Sequence, residues 1–148
     1  MKAITYTVNI EPAKEGGYWA YVPALPGCLT QGGTLEEVTA NAKQAVRGFV
    51  ELLAEGRRPV PVERHHRRQL IVDVEVETAA RGKRRVPTMT PAGLIEGFTQ
   101  AGFKQPRERW GHFYLWHAAR ELLISVPACV GDLKRDLLMA ILDQVGVM

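Results

Sequence analysis

The run Arg107-Glu108-Arg109-Trp110-Gly111-His112-Phe113-Tyr114-Leu115-Trp116-His117 holds the most chemically useful side chains of this 148-residue chain. An imidazole has an unperturbed pKa near neutrality, which suits it to take up and return a proton. Guanidinium groups clamp phosphate oxygens bidentately. Arg107 and Arg109, just ahead of the imidazole of His112, could therefore hold a phosphate. Tyr114 and Trp116 add ring faces on which nucleic-acid bases could stack. The same rings suit an interface, because an exposed Trp is unusual on a free surface. His112 is equally compatible with a surface or interface position without catalytic duty.

Alternation sorts these side chains. In a strand, His112, Tyr114 and Trp116 share one face, and Phe113, Leu115 and His117 share the other. Phe113 and Leu115 should point at helices, which makes His117 a core or edge residue. His112 should lie on the open face of the sheet, so the two histidines should not act as a pair. The interface is the favoured role for the open face, with another part of the chain lying over it and covering His112.

Other reactive groups say less. Cys28 and Cys129 lie far apart without metal-ligand spacing and read as reduced thiols of a cytosolic protein. His65-His66 sit in an Arg-rich connector and read as solvated residues, and Trp19 and Trp110 as packing residues. There is no phosphate-cradling Gly loop, nucleophile elbow or metal-spaced cluster, so no cofactor and no metal is expected.

The net charge of +3 is unevenly spread. Residues 1–55 hold four basic and six acidic side chains, residues 56–85 nine and four, and residues 86–148 six and six. The excess lies in R-R-P-V-P-V-E-R-H-H-R-R and R-G-K-R-R, clusters that suit phosphate backbones or a solvated linker. Hydrophobic residues at 46% and charged ones at 24% are ordinary for a soluble globular protein. No apolar run approaches the ~18 residues of a membrane span. The N-terminus alternates polar with apolar residues, unlike a signal peptide.

The elements that must position these residues follow from periodicity. Ile4, Tyr6, Val8 and Ile10 alternate as a first strand. Lys14-Glu15-Gly16-Gly17 turns the chain into a second, Tyr18 to Val22. Pro23, Pro26 and Gly27 form a corner before a short third strand, Cys28 to Gln31. Thr34 and Glu37 have capping-box spacing at the start of a helix whose apolar stripe runs from Leu35 to Leu53, with Gly56 as its stop. Leu70, Val72, Val74 and Val76 alternate as a fourth strand. Residues 78–87 read as a linker. Thr90-Pro91 opens a second helix that ends at Gly102. Phe103 to Arg109, His112 to His117 and Arg120 to Val126 read as three strands. Asp132 is the expected N-cap of a last helix that stops at Gly146.

The segment V-P-A-L-P-G-C-L-T-Q-G-G-T-L-E-E-V-T-A-N-A resembles HicB-type antitoxins over about residues 3–76. The resemblance implies a partial ribonuclease-H-like fold, βββα followed by another strand, without catalysis in this region. Members usually continue into a small DNA-binding segment. No helix-turn-helix or ribbon-helix-helix pattern follows residue 77, which makes DNA binding doubtful. Residues 88–148 look instead like a HicA-type toxin, through A-G-F after the first helix, R-E-R-W-G-H-F-Y-L-W-H, the later V-P and the closing L-L-M-A-I-L-D-Q-V-G-V. This second resemblance implies an αβββα fold similar to a double-stranded-RNA-binding domain, and metal-independent cleavage of messenger RNA by one histidine, which maps onto His112. Arg109-Trp110-Gly111 replaces the family's Lys-Gly-Ser, and Cys129 stands where many members carry a further histidine.

The expectation is thus an α+β chain: a HicB-like domain at 1–77, a linker at 78–87 and a HicA-like domain at 88–148. A latent endoribonuclease would be restrained by its own antitoxin, in a homo-oligomer in the cytoplasm, with no membrane contact. His112 would be the base, Arg107, Arg109 and Tyr114 the RNA-binding groups, and Trp116 an interface residue. The alternatives are an inactive RNA-binding or protein-interaction module, and an antitoxin-type oligomer that neutralises a separate toxin.

Overall fold

The computed structural model describes residues 4–63, 72, 73, 75 and 88–146. Within them the chain is mixed α and β, with two small antiparallel sheets and three helices. The first sheet has the order β1-β2-β3, with β1 at Asn9–Pro12, β2 at Tyr18–Tyr21 and β3 at Leu29–Gly32. The alternation from Ile4 onwards led us to expect a longer first strand. Pairing begins only where Asn9 meets Tyr21, the last residue of β2, so residues 4–8 have no ladder to join among the described residues.

Helix α1, Leu35–Glu55, starts as its spacing predicts. The Thr34 hydroxyl accepts from Glu37 N at 3.1 Å, and the Glu37 carboxylate accepts from Gly33 N at 3.1 Å. The first bond satisfies an amide left free by helix geometry, and the second ties the residue before the cap to the first turn. The expected fourth strand and the linker fall mostly outside the described residues, as do His65-His66 and most of the central Arg clusters. Of that strand, Val72, Asp73 and Glu75 are described; they belong to no regular element, and Val72 is exposed.

Helix α2 spans Pro91–Gln100, with the Thr90 hydroxyl accepting from Gly93 N at 3.2 Å. The second sheet follows in the order β4-β5-β6, at Arg107–Arg109, His112–His117 and Leu122–Pro127, and α3 occupies Arg135–Val145. Asp132 does not cap α3 as expected. The helix begins later, at Arg135, and Lys134 in the cap position makes no side-chain cap bond. The caps come from the other end of the chain: Glu15 accepts from Arg135 N at 2.9 Å and Gln31 from Lys134 N at 2.7 Å. Carboxylate and amide oxygens at a helix start satisfy its free N–H groups and complement its dipole, whichever part of the sequence supplies them.

Alternation along β5 places its side chains in two different cores. Leu115, with Ile124 and Val126, packs against Leu94 and Phe98 of α2 and Leu137, Leu138 and Ile141 of α3. Tyr114 and Leu123 pack on the opposite side, against Ala45, Phe49 and Leu52 of α1 and against Val22, Leu25 and Cys28 at the Pro/Gly corner. One β sheet is thus buried on both faces, with helices from its own half below and residues 4–63 above. No helix among the described residues is long and apolar enough to cross a membrane.

Candidate functional site

The pairing register collects the predicted site residues on one face of the second sheet. Arg107 lies opposite Tyr114, Arg109 opposite His112, and Tyr114 opposite Ser125. Directly paired residues project to the same side. That side is the one facing α1 and β3, so His112 is on the face away from α2 and α3, as alternation predicts, but it is covered. Its ring is 1% exposed.

Two hydrogen bonds fix the state of this imidazole. Nδ1 lies 3.0 Å from the carbonyl oxygen of Trp110, which can only accept, so Nδ1 carries the proton. Nε2 then presents its lone pair and accepts from the Thr30 hydroxyl at 2.8 Å. Burial lowers the His112 pKa from its ordinary value, and the bond to the Trp110 carbonyl opposes this only in part. At neutral pH the ring is therefore mainly uncharged, with the basic nitrogen aimed at a hydroxyl supplied by β3.

The two arginines are also engaged from above. Arg109 reaches Glu55 at 2.8 Å and Glu51 at 3.8 Å, and Arg107 reaches Glu55 at 3.2 Å. Hydrogen bonding from Arg109 holds the Glu55 carboxyl below its usual range. Trp110, at the β4–β5 turn, donates from Nε1 to Glu51 at 2.7 Å, and Arg47 lies over its ring at 4.0 Å. Trp110 was expected to be a packing residue; at 42% exposure it is instead a polar and stacking partner of α1.

Tyr114 cannot stack a base in this arrangement. It is 2% exposed, its hydroxyl donates to the Ala45 carbonyl at 2.8 Å, and burial pushes its pKa well above the usual value. Trp116, half-buried, carries the Arg58 guanidinium 3.4 Å over its ring. His117 is turned to the other face, with its ring 5.0 Å from that of Phe103. Cys28 and Cys129 are free thiols, and burial pushes that of Cys28 up to about 12. No group of three or more potential metal-binding side chains occurs among the described residues.

The Pro/Gly corner completes the contact. Ser125 N donates to the Gly27 carbonyl at 2.9 Å, and Leu29 N donates to the Ser125 hydroxyl at 2.8 Å. That hydroxyl has the carbonyls of Leu29 at 2.9 Å and Gly27 at 3.1 Å within reach of its own proton. Corner and edge strand are therefore joined main chain to main chain.

Thr30, Glu51, Glu55 and Ser125 were not singled out from the sequence, and Gly27 only as part of the Pro/Gly corner. Glu51 and Glu55 did leave a signal: carboxylates in the last turns of a helix oppose its dipole, and α1 has no basic residue in its last turn. A locally unfavourable charge points to a partner elsewhere. Thr30 left none, since a Thr in a short strand is ordinary.

Two tests follow from the His112 geometry. Thr30→Val should lower stability by about 1–3 kcal/mol, because it leaves a buried ring nitrogen without a donor. Thr30→Ser, which keeps the hydroxyl and loses one methyl group, should cost about 1 kcal/mol in the same urea titrations. The pH dependence has a definite sign. A histidine whose folded pKa is depressed binds fewer protons folded than unfolded. Its contribution is complete above the unfolded value of about 6.5 and is lost as pH falls from there towards the folded value. Glu55 adds a loss in the same direction at lower pH, below its ordinary carboxylate range. The urea midpoint of the chain should fall on acidification below neutrality, and His112→Gln should remove the upper part of that fall.

Comparison with known proteins gives one family. The family described as HicB-like antitoxin of bacterial toxin–antitoxin system matches residues 6–112, most of the chain. A UPF0150 protein of Thermoplasma acidophilum is 45% identical over 56 residues, 38% of this chain and 81% of that protein. A UPF0150 protein of Synechocystis is 43% identical over 58 residues, 39% of this chain and 73% of its own length. Antitoxin HicB 1 of Photorhabdus laumondii is 37% identical over 62 residues, 42% of this chain and 40% of that protein. No solved structure matches.

Proposed function

Since the chain belongs to the HicB-like antitoxin family of bacterial toxin–antitoxin systems, we propose that residues 4–63 act as an antitoxin lid on a HicA-like, metal-independent ribonuclease carried by the same polypeptide. In this reading residues 1–77 form the partial ribonuclease-H-like unit, and α2, the second sheet and α3 form a unit of the double-stranded-RNA-binding type. His112 Nε2 would take the proton of a ribose 2′-OH, while Arg107 and Arg109 hold the phosphate and stabilise its charge. Tyr114 would support a base once uncovered, and Trp116 would remain at the interface.

One observation carries the reading: each group needed for cleavage already has a stand-in for substrate, and each stand-in comes from the lid. The Thr30 hydroxyl donates to Nε2 as a 2′-OH would. The carboxylates of Glu51 and Glu55 lie on Arg107 and Arg109 as phosphate oxygens would. A tether keeps such a lid at an effective concentration on the order of millimolar, so contacts of modest strength suffice to hold it closed.

The test uses the full chain. Glu51→Arg with Glu55→Arg replaces two attractions by repulsions and should open the lid, which modification of His112 by diethyl pyrocarbonate would report. Growth arrest with cut messenger RNA, both abolished by adding His112→Ala, is the expected result. An opened chain that leaves RNA intact would falsify the ribonuclease. Family membership itself would then favour the second reading, an antitoxin, in an oligomer, that neutralises a toxin made elsewhere.

A further inference from the structure

Near the C-terminal end of α1 the two halves of the chain part to leave a cleft of about 740 Å³. Its floor is apolar, formed by Leu52, Tyr114, Trp116 and Leu123, and its rim carries Arg58, Lys104 and Arg107 against the one carboxylate of Glu55. Glu55 is already divided between Arg107 and Arg109. Among the described residues neither Arg58 nor Lys104 makes an ion pair; Arg58 rests on the ring of Trp116 instead. The cleft therefore has more positive charge than its own carboxylate neutralises, beside an aromatic floor.

This volume lies within the ~300–1,000 Å³ typical of small-molecule sites. An apolar floor accepts the face of a flat heterocycle, and a cationic rim accepts phosphate oxygens. We propose that the seam binds a nucleotide, with its base displacing the Arg58 guanidinium from the Trp116 ring and its phosphate on Lys104, Arg107 and the freed Arg58. Phosphate on Arg107 competes with Glu55, so occupation of the seam weakens one of the contacts that hold α1 over the site. The consequence for the lid rests on the function proposed above; the binding does not. The same chemistry comes from a free mononucleotide or from one residue of an RNA strand.

Isothermal titration of the native, full chain separates these sources. The probes are AMP, inorganic phosphate, and a 5′-phosphorylated 2′-O-methyl oligouridine, which cannot be cleaved through its 2′ oxygen. AMP should saturate, and inorganic phosphate should bind about tenfold more weakly because it leaves the floor empty. An oligonucleotide that binds more tightly than AMP identifies an RNA strand as the occupant; equal affinity identifies the free nucleotide. Lys104→Glu and Arg58→Gln should each weaken AMP by about tenfold, the loss of one charged hydrogen bond. Glu55→Gln should tighten it by about threefold, by removing the competitor. Absence of saturation at millimolar AMP, indifference to both Lys104→Glu and Arg58→Gln, or weaker binding by Glu55→Gln would each overturn the proposal. None of these readouts depends on cleavage, so they stand whether or not His112 is catalytic.

Discussion

Gly27→Ala should open the contact between the Pro/Gly corner and β6, at a cost of about 4 kcal/mol. Two effects combine. Gly27 has φ +95, where a residue with a Cβ is strained. A Cβ there would also overlap the carbonyl oxygen of Leu123, which is backbone of β6, held in place by its pairing with β5. The two effects can be separated, because Gly16 has φ +96 with nothing within 4 Å of an added Cβ. Gly16→Ala therefore measures the strain alone and should cost about 1–2 kcal/mol. The remainder at Gly27 is the docking clash. Against a total stability of about 5–15 kcal/mol this is a large fraction. Urea denaturation gives both values, and hydrogen exchange at Ser125 N and Leu29 N should lose protection in Gly27→Ala while keeping it in Gly16→Ala. Equal costs at the two positions would show that the corner does not need close approach to β6. On the proposed function, Gly27→Ala should also uncover His112 and make RNA cleavage detectable in the 148-residue chain.

Gly48→Ala should destabilise the chain by about 2 kcal/mol although it improves the helix that contains it. In the interior of a helix, Ala is favoured over Gly by about 1 kcal/mol, so an isolated α1 would gain. Here a Cβ on Gly48 would meet the ring and hydroxyl of Tyr114, which is buried and bonded to the Ala45 carbonyl. The glycine is the hollow into which the tyrosine fits. Shrinking the tyrosine should therefore reverse the sign: on a Tyr114→Leu background, Gly48→Ala should become neutral or stabilising. A double-mutant cycle measures this coupling directly. Additive effects would mean that the helix and the sheet are not locked by this contact.

Gly48 lies in the middle of a 21-residue helix, where its cost relative to alanine is a hint of close approach that the sequence reading passed over. What approaches it was not visible. The helix around it was, since the capping residues and the apolar stripe are interactions between neighbours in sequence. The same holds for β5, whose bounds and facing were expected as His112–His117 with Leu115 towards the helices. The first strand was expected too long because alternation marks which residues can form a strand, and pairing depends on the length of the partner. Asp132 was expected as a cap for a related reason: a good local cap gives way when another segment offers oxygens in the right place. Glu15 and Gln31 do so from more than a hundred positions away.

Short-range interactions thus set the helices, the turns and the facing of each strand, because the atoms involved are separated by only a few bonds along the chain. They were sufficient to place His112, Tyr114 and Trp116 on a single face of one strand, and the register of β4 on β5 added Arg107 and Arg109 to it. The occupancy of that side is a matter of tertiary structure alone. A threonine hydroxyl meets the histidine, and two glutamates meet the arginines, only because the Pro/Gly corner and α1 settle on β5 and β6. Complementarity between surfaces far apart in sequence leaves no periodic trace in either one, so the partners of these side chains had to be seen in three dimensions.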